Sequence, residues 1–116
     1  MSEKSPEEKY VDEHEQELYQ RALEYWGIHA QIDMMIEEAS ELIVALQHYK
    51  RHAMHRQINE YNRCYGEHVC EEIADTQIML NQMKLIFGEG NILRWRYKKL
   101  CRLVERILTY LGRMKK

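Results

Sequence analysis

Proline occurs once in the 116 residues, at Pro6, so nothing beyond that point removes a backbone donor or forces a helix to stop. Only five glycines punctuate the chain. Met, Leu, Ile, Glu, Lys and Arg carry most of the rest, and these are residues of high intrinsic helix propensity. No segment has the alternating pattern of a strand. The expectation is an all-α domain of about four helices. A chain this short buries only a modest part of its surface, so the core of such a bundle is expected to be completed by dimerisation.

Hydrophobic spacing places the helices. Ser5-Pro6-Glu7-Glu8 has the form of a helix start, with Ser5 as cap, Pro6 in the first helical position and Glu8 as the capping-box acid. The first helix is predicted over 6–25 and is broken by Trp26-Gly27. A second, over 29–51, has apolar positions at Ile32, Met35, Ile36, Ala39, Leu42, Ile43 and Leu46. The stretch from His52 to Tyr65 is polar and aromatic, with Gly66 as a stop, and fits either a continued helix or a loop. A third helix is predicted over 67–87, closed by Gly88-Glu89-Gly90, and a fourth over 91–111.

Charge is distributed unevenly. Residues 1–24 carry eight acids and three bases, and residues 91–116 carry nine bases and one acid. The basic end would suit a phosphate, a nucleic acid or the acidic end of the same protein. No apolar run approaches the ~18 residues of a membrane span, and the acidic N-terminus lacks the form of a secretion signal, so a soluble cytoplasmic protein is expected. Cys64, Cys70 and Cys101 are an odd number without a CxxC pair, which fits a reducing compartment.

Two acid pairs stand out, Glu38 with Glu41 and Glu72 with Asp75. Residues three apart on a helix bring their Cβ atoms to about 5–6 Å, so each pair presents two carboxylates side by side. In a chain that is 31% charged, such spacing arises readily on a solvated face. The helical wheel argues otherwise here. At 100° per residue Glu38 falls between Met34, Ala45 and Leu42, and Glu72 between Met79 and Met83, inside the apolar arcs, whereas Glu37 and Glu71 point away. A core-facing carboxylate is costly to ionise unless a cation compensates it. Oxygen ligands without Cys or His favour Mg²⁺, with Mn²⁺ as a substitute, over zinc. A di-iron bundle would need Glu-x-x-His, and none of the six histidines has a Glu three residues before it.

Glu38-Ala39-Ser40-Glu41 followed by Glu72-Ile73-Ala74-Asp75 resembles the EExxE and ExxD helices of the MazG-like all-α nucleotide pyrophosphohydrolases. Trp26-Gly27-Ile28-His29-Ala30-Gln31 upstream and the run from Thr76 to Met83 downstream are similar to the same group, so the resemblance covers roughly residues 20–105. It implies metal ligation and catalysis at Glu38, Glu41, Glu72 and Asp75. It further implies a homodimer or dimer of dimers, and Mg²⁺-dependent cleavage of a nucleoside triphosphate to the monophosphate and pyrophosphate. The stretch from His52 to Gly66 has no counterpart in it.

Around this centre, Lys98, Lys99 and Arg102 are candidates for phosphate contact, Lys99 first by resemblance. The alternative is that they are solvated charges balancing the acidic N-terminus. Trp26 is a candidate for stacking on the base, or a core anchor at a helix end. Gln31, seven residues before Glu38 on the same face, is a candidate for hydrogen bonding to a base edge, or a plain surface residue. Met34, Met35, Met79 and Met83 read as core. His48, His52 and His55, with Cys64 and His68, lack the paired spacing of a zinc site and read as a polar stripe. The competing functional class is a non-catalytic helical protein that binds nucleotide, nucleic acid or a partner through its basic fourth helix, although no helix-turn-helix or basic-aromatic pattern supports nucleic acid.

Overall fold

The computed structural model describes residues 2–53 and 60–115. The described residues form three helices and no strand: α1 over Pro6–Ala53, α2 over Glu60–Phe87 and α3 over Glu89–Met114. They divide into two compact units, Met1–Ile86 and Phe87–Lys116.

In the first unit α1 begins as expected. The Glu8 amide donates to the Ser5 hydroxyl at 3.2 Å and the Lys9 amide to the Ser5 carbonyl at 3.1 Å. Glu7 and Glu8 occupy the first turn, where the helix dipole favours acids. The expected first and second helices are the two arms of one element, separated at Gly27, whose φ of 84° and ψ of 166° are not helical. That conformation is essentially confined to glycine. It turns the chain so that Tyr19, on the first arm, meets Asn81 on α2, whose amide donates to the Tyr19 hydroxyl at 3.4 Å.

The second arm of α1 pairs with α2. His52 stacks on Tyr65 with ring centroids 4.1 Å apart, the Thr76 hydroxyl donates to the Glu38 carbonyl at 3.4 Å, and Met34 and Met79 line one pocket. Numbers fall along α1 as they rise along α2, so the pair is antiparallel. Gly66 lies inside α2 and does not end a helix. A Cβ at that position would stand 3.8 Å from the Tyr49 ring, an ordinary van der Waals contact, so the helices pack here without requiring a glycine. Packing here overrides its low propensity, which costs about 1 kcal/mol relative to alanine. Residues 54–59 lie outside the described residues.

The seam between the arms and α2 is half polar. Tyr19, Ala45, Met79 and Met83 are its buried apolar side chains, and Gln31, Glu72, Thr76 and Gln82 its buried polar ones. The apolar arc expected on the second arm is wider than the strip α2 covers. Ala45 is buried, but Ile36, Ile43 and Leu46 are 60%, 57% and 46% exposed. Met34 is also exposed and belongs to a pocket wall, not to the core.

In the second unit, Gly88, with φ 97°, separates α2 from α3. α3 begins two residues before the expected Asn91, continues through Gly90 and Gly112, and ends at Met114. It is strongly amphipathic: Ile92, Leu100, Leu103, Ile107 and Leu111 share one face, and Arg94, Lys98, Arg102 and Arg113 the other. None of its residues is buried.

Candidate functional site

Near the middle of the antiparallel pair, Glu38 of α1 faces Glu72 and Asp75 of α2. One carboxylate oxygen from each lies within 4.8 Å of the other two. Glu72 is buried and Glu38 and Asp75 are half-buried, while Glu37 and Glu71 are exposed. The wheel-based separation of core-facing from surface acids therefore holds. Glu41, the fourth acid of the two pairs, is exposed and stands outside the close trio, yet its charge acts on both Glu38 and Glu72.

Burial, and then the neighbouring charges of Asp75, Glu41 and Glu72, push the Glu38 carboxyl above its ordinary value. Burial, and then Glu41 and Asp75, do the same to Glu72, opposed by His68, whose Nε2 is 3.9 Å from a Glu72 oxygen. Glu38 Oε2 and Glu72 Oε2 are buried without a hydrogen-bond partner. An unmatched buried acceptor costs about 1–3 kcal/mol or more when charged. Repelling, unmatched oxygens from three carboxylates form a donor set that fits a hard divalent cation such as Mg²⁺. The buried Thr76 hydroxyl sits between the two helices at this level, 2.8 Å from the Glu72 carbonyl of its own helix and 3.4 Å from the Glu38 carbonyl of the other.

Beginning about one helical turn from the acids, at Met34 and Met79, and reaching two turns away at Gln31 and Gln82, lies a pocket of 520 Å³ lined also by Trp26 and Asp33, among others. Gln31 precedes Glu38 by seven residues and Gln82 follows Asp75 by seven, which on helices corresponds to about 10 Å along the axis. The structure thus brings together the two side chains expected to contact a base. Trp26 is 67% exposed and forms a wall of the pocket, which excludes its alternative role as a buried anchor. Gln31 is 4% exposed, which excludes a plain surface role.

Lys98, Lys99 and Arg102 stand on α3 in the second unit, all exposed. The Lys98 ammonium sits over the Trp95 ring at 4.9 Å. Lys99 lines a 550 Å³ hollow with Phe87, Asn91, Ile92 and Trp95. Among the histidines, His52 and His48 contact Tyr65 by stacking and by an edge, with centroids 4.1 and 6.4 Å away. Apart from the carboxylate trio, no cluster of three ligand-type side chains occurs among the described residues, and His55 lies outside them.

Sequence reasoning assigned no role to Asp33, Thr76 or Gln82. The signal for Gln82 was its seven-residue spacing from Asp75, the counterpart of the spacing between Gln31 and Glu38. No protein-family model, curated protein or solved structure matches the chain.

Proposed function

We propose that the protein is a Mg²⁺-dependent nucleotide pyrophosphohydrolase that cleaves a nucleoside triphosphate to the monophosphate and pyrophosphate. The observation that carries this reading is the meeting of Glu38, Glu72 and Asp75 with two buried, unpartnered oxygens, along the helices from a pocket holding both Trp26 and Gln31.

Glu38, Glu72 and Asp75 would hold the cation, with Glu41 at the edge of the cluster adding charge. A divalent cation in such a position supplies Lewis acidity toward phosphate oxygens and water. The pocket takes the base, with Trp26 against its face and Gln31 at its edge, and this seats the phosphate chain over the acids. One of the four carboxylates, or a nearby acid such as the exposed Glu37, would accept the proton of the attacking water. The α–β phosphoanhydride is broken and pyrophosphate leaves.

The proposal includes a homodimer or dimer of dimers acting in the cytoplasm. Its support is the unmatched apolar surface: Ile36 and Ile43 on α1, and Leu100, Leu103 and Ile107 on α3, are all about half exposed or more. No helix of the described residues is long and apolar enough to cross a membrane.

The amphipathic helix α3, none of whose residues is buried, favours a second reading, a non-catalytic protein that binds a partner or nucleic acid through its basic face. Pyrophosphate release from a panel of canonical and modified nucleoside triphosphates, with Mg²⁺, Mn²⁺ or EDTA, separates the two. Metal-dependent release that is lost in Glu38→Gln and Asp75→Asn is the expected result. A folded protein that releases none from any nucleotide overturns the enzyme reading and leaves the binding one.

A further inference from the structure

Gln82 is 5% exposed, lines the 520 Å³ pocket, and has a buried Oε1 without a hydrogen-bond partner. A buried amide oxygen in that condition is an acceptor waiting for a donor. Of the other lining residues, Met34, Met79 and Trp26 are apolar and suit the faces of a flat ring, while Gln31 and Asp33 add polar groups. At 520 Å³ the pocket admits a purine or a pyrimidine, so selection must come from its polar groups.

An amide alone does not choose between bases. Its oxygen and nitrogen match the amino group and bare ring nitrogen of cytosine or adenine, and after turning over they match the oxo group and ring N–H of uracil or hypoxanthine. Asp33 breaks this symmetry. It lines the same pocket, and an ionised carboxylate only accepts. Beside an exocyclic amino group, which carries two N–H donors, Asp33 and Gln82 Oε1 both find a partner. Beside an oxo group the Gln82 amide can turn over to donate, but Asp33 still meets an acceptor and is repelled.

We infer that the pocket selects nucleotides whose base presents an amino group next to an unprotonated ring nitrogen, the edge shared by cytosine and adenine, over those presenting an oxo group there. This inference rests on the nucleotide reading of the site and deepens it.

Two matched pairs test it, dCTP against dUTP and dATP against dITP, because within each pair the change is confined to that edge. Steady-state hydrolysis with Mg²⁺ gives kcat/KM, and calorimetric binding to the Glu38→Gln variant gives affinity without turnover. The expected result is a preference of about tenfold or more for dCTP and dATP, as unpaired buried polar groups impose. Asp33→Asn, at an exposed position, and Gln82→Met, close in shape to the original, should each bring both ratios toward unity, with folding checked by circular dichroism. Hydrolysis that treats the members of each pair alike, or favours dUTP and dITP, overturns the inference and leaves the enzyme reading intact. A preference for dCTP and dATP that persists in both variants removes it from this pocket. Failure of all four nucleotides to bind or react overturns the underlying reading together with the inference.

Discussion

The Thr76 hydroxyl shares its one proton between the Glu72 carbonyl of its own helix at 2.8 Å and the carbonyl of Glu38 across the helix pair at 3.4 Å. One buried side chain thereby links the two helices at the level where the carboxylates on facing helices meet. Thr76→Val keeps the shape and removes the hydroxyl. It should destabilise the fold by about 1 kcal/mol and raise the Mg²⁺ concentration needed for stabilisation severalfold, with Thr76→Ser restoring most of both. Urea denaturation and a Mg²⁺ titration of the melting temperature check this. A Val variant with unchanged Mg²⁺ response would show that the hydroxyl does not set the register.

Metal-free, the acid cluster should make stability fall as pH rises. Glu38 and Glu72 are both held above their ordinary carboxylate value of 4.5, by burial first and by neighbouring acids next. Between the unfolded value and the raised folded one, the folded state binds more protons. The contribution is therefore most favourable at or below about 4.5 and is lost as pH rises through the folded value. In EDTA, Glu72→Gln should melt above the wild type at pH 8, by a margin that shrinks toward pH 5. Mg²⁺ should raise the wild type and leave the variant little changed. A margin independent of pH would mean that the carboxylate carries no strain.

Two glycines should respond to alanine with opposite signs. At Gly27 an added Cβ meets nothing within 4 Å, so the whole cost is the backbone conformation, about 1–3 kcal/mol. At Gly66, helical and 3.8 Å from the Tyr49 ring, the contact is an ordinary one and the gain in propensity should stabilise by up to about 1 kcal/mol. Denaturation midpoints of the two variants decide. Destabilisation by Gly66→Ala would indicate that α1 and α2 already stand as close as they can.

If the apolar face of α3 is part of a subunit interface, a charge there should dissociate the protein. Leu103→Asp is expected to change a dimer or tetramer into a monomer in sedimentation velocity and to lower the melting temperature, whereas Arg113→Ala on the opposite face should alter neither. A wild-type protein that sediments as a monomer at tens of micromolar would remove the subunit-completed core from the proposal.

Much of the site was legible in one dimension. Period 3.6 placed Glu38 and Glu72 among apolar neighbours and Glu37 and Glu71 outside them, and the burial of these residues follows that division. The Ser5 cap and the break at Gly27 were equally readable, because each rests on the local chemistry of one or two residues. Gly66 was misread as a stop because intrinsic propensity is weak against the packing of Tyr49 and His52 on α2.

Sequence alone determined that the chain is helical, where its first helix starts and bends, and which acids turn inward. All of these depend on periodicity or on short-range backbone sterics. Tertiary structure alone decided that Glu38, Glu72 and Asp75 converge while Glu41 stands aside, and that Gln82 and Asp33 share a pocket with Trp26 and Gln31. Those relations depend on the register of two helices against each other. That register is set by contacts between residues far apart in sequence, such as the Thr76–Glu38 hydrogen bond across 38 positions, which no local pattern encodes.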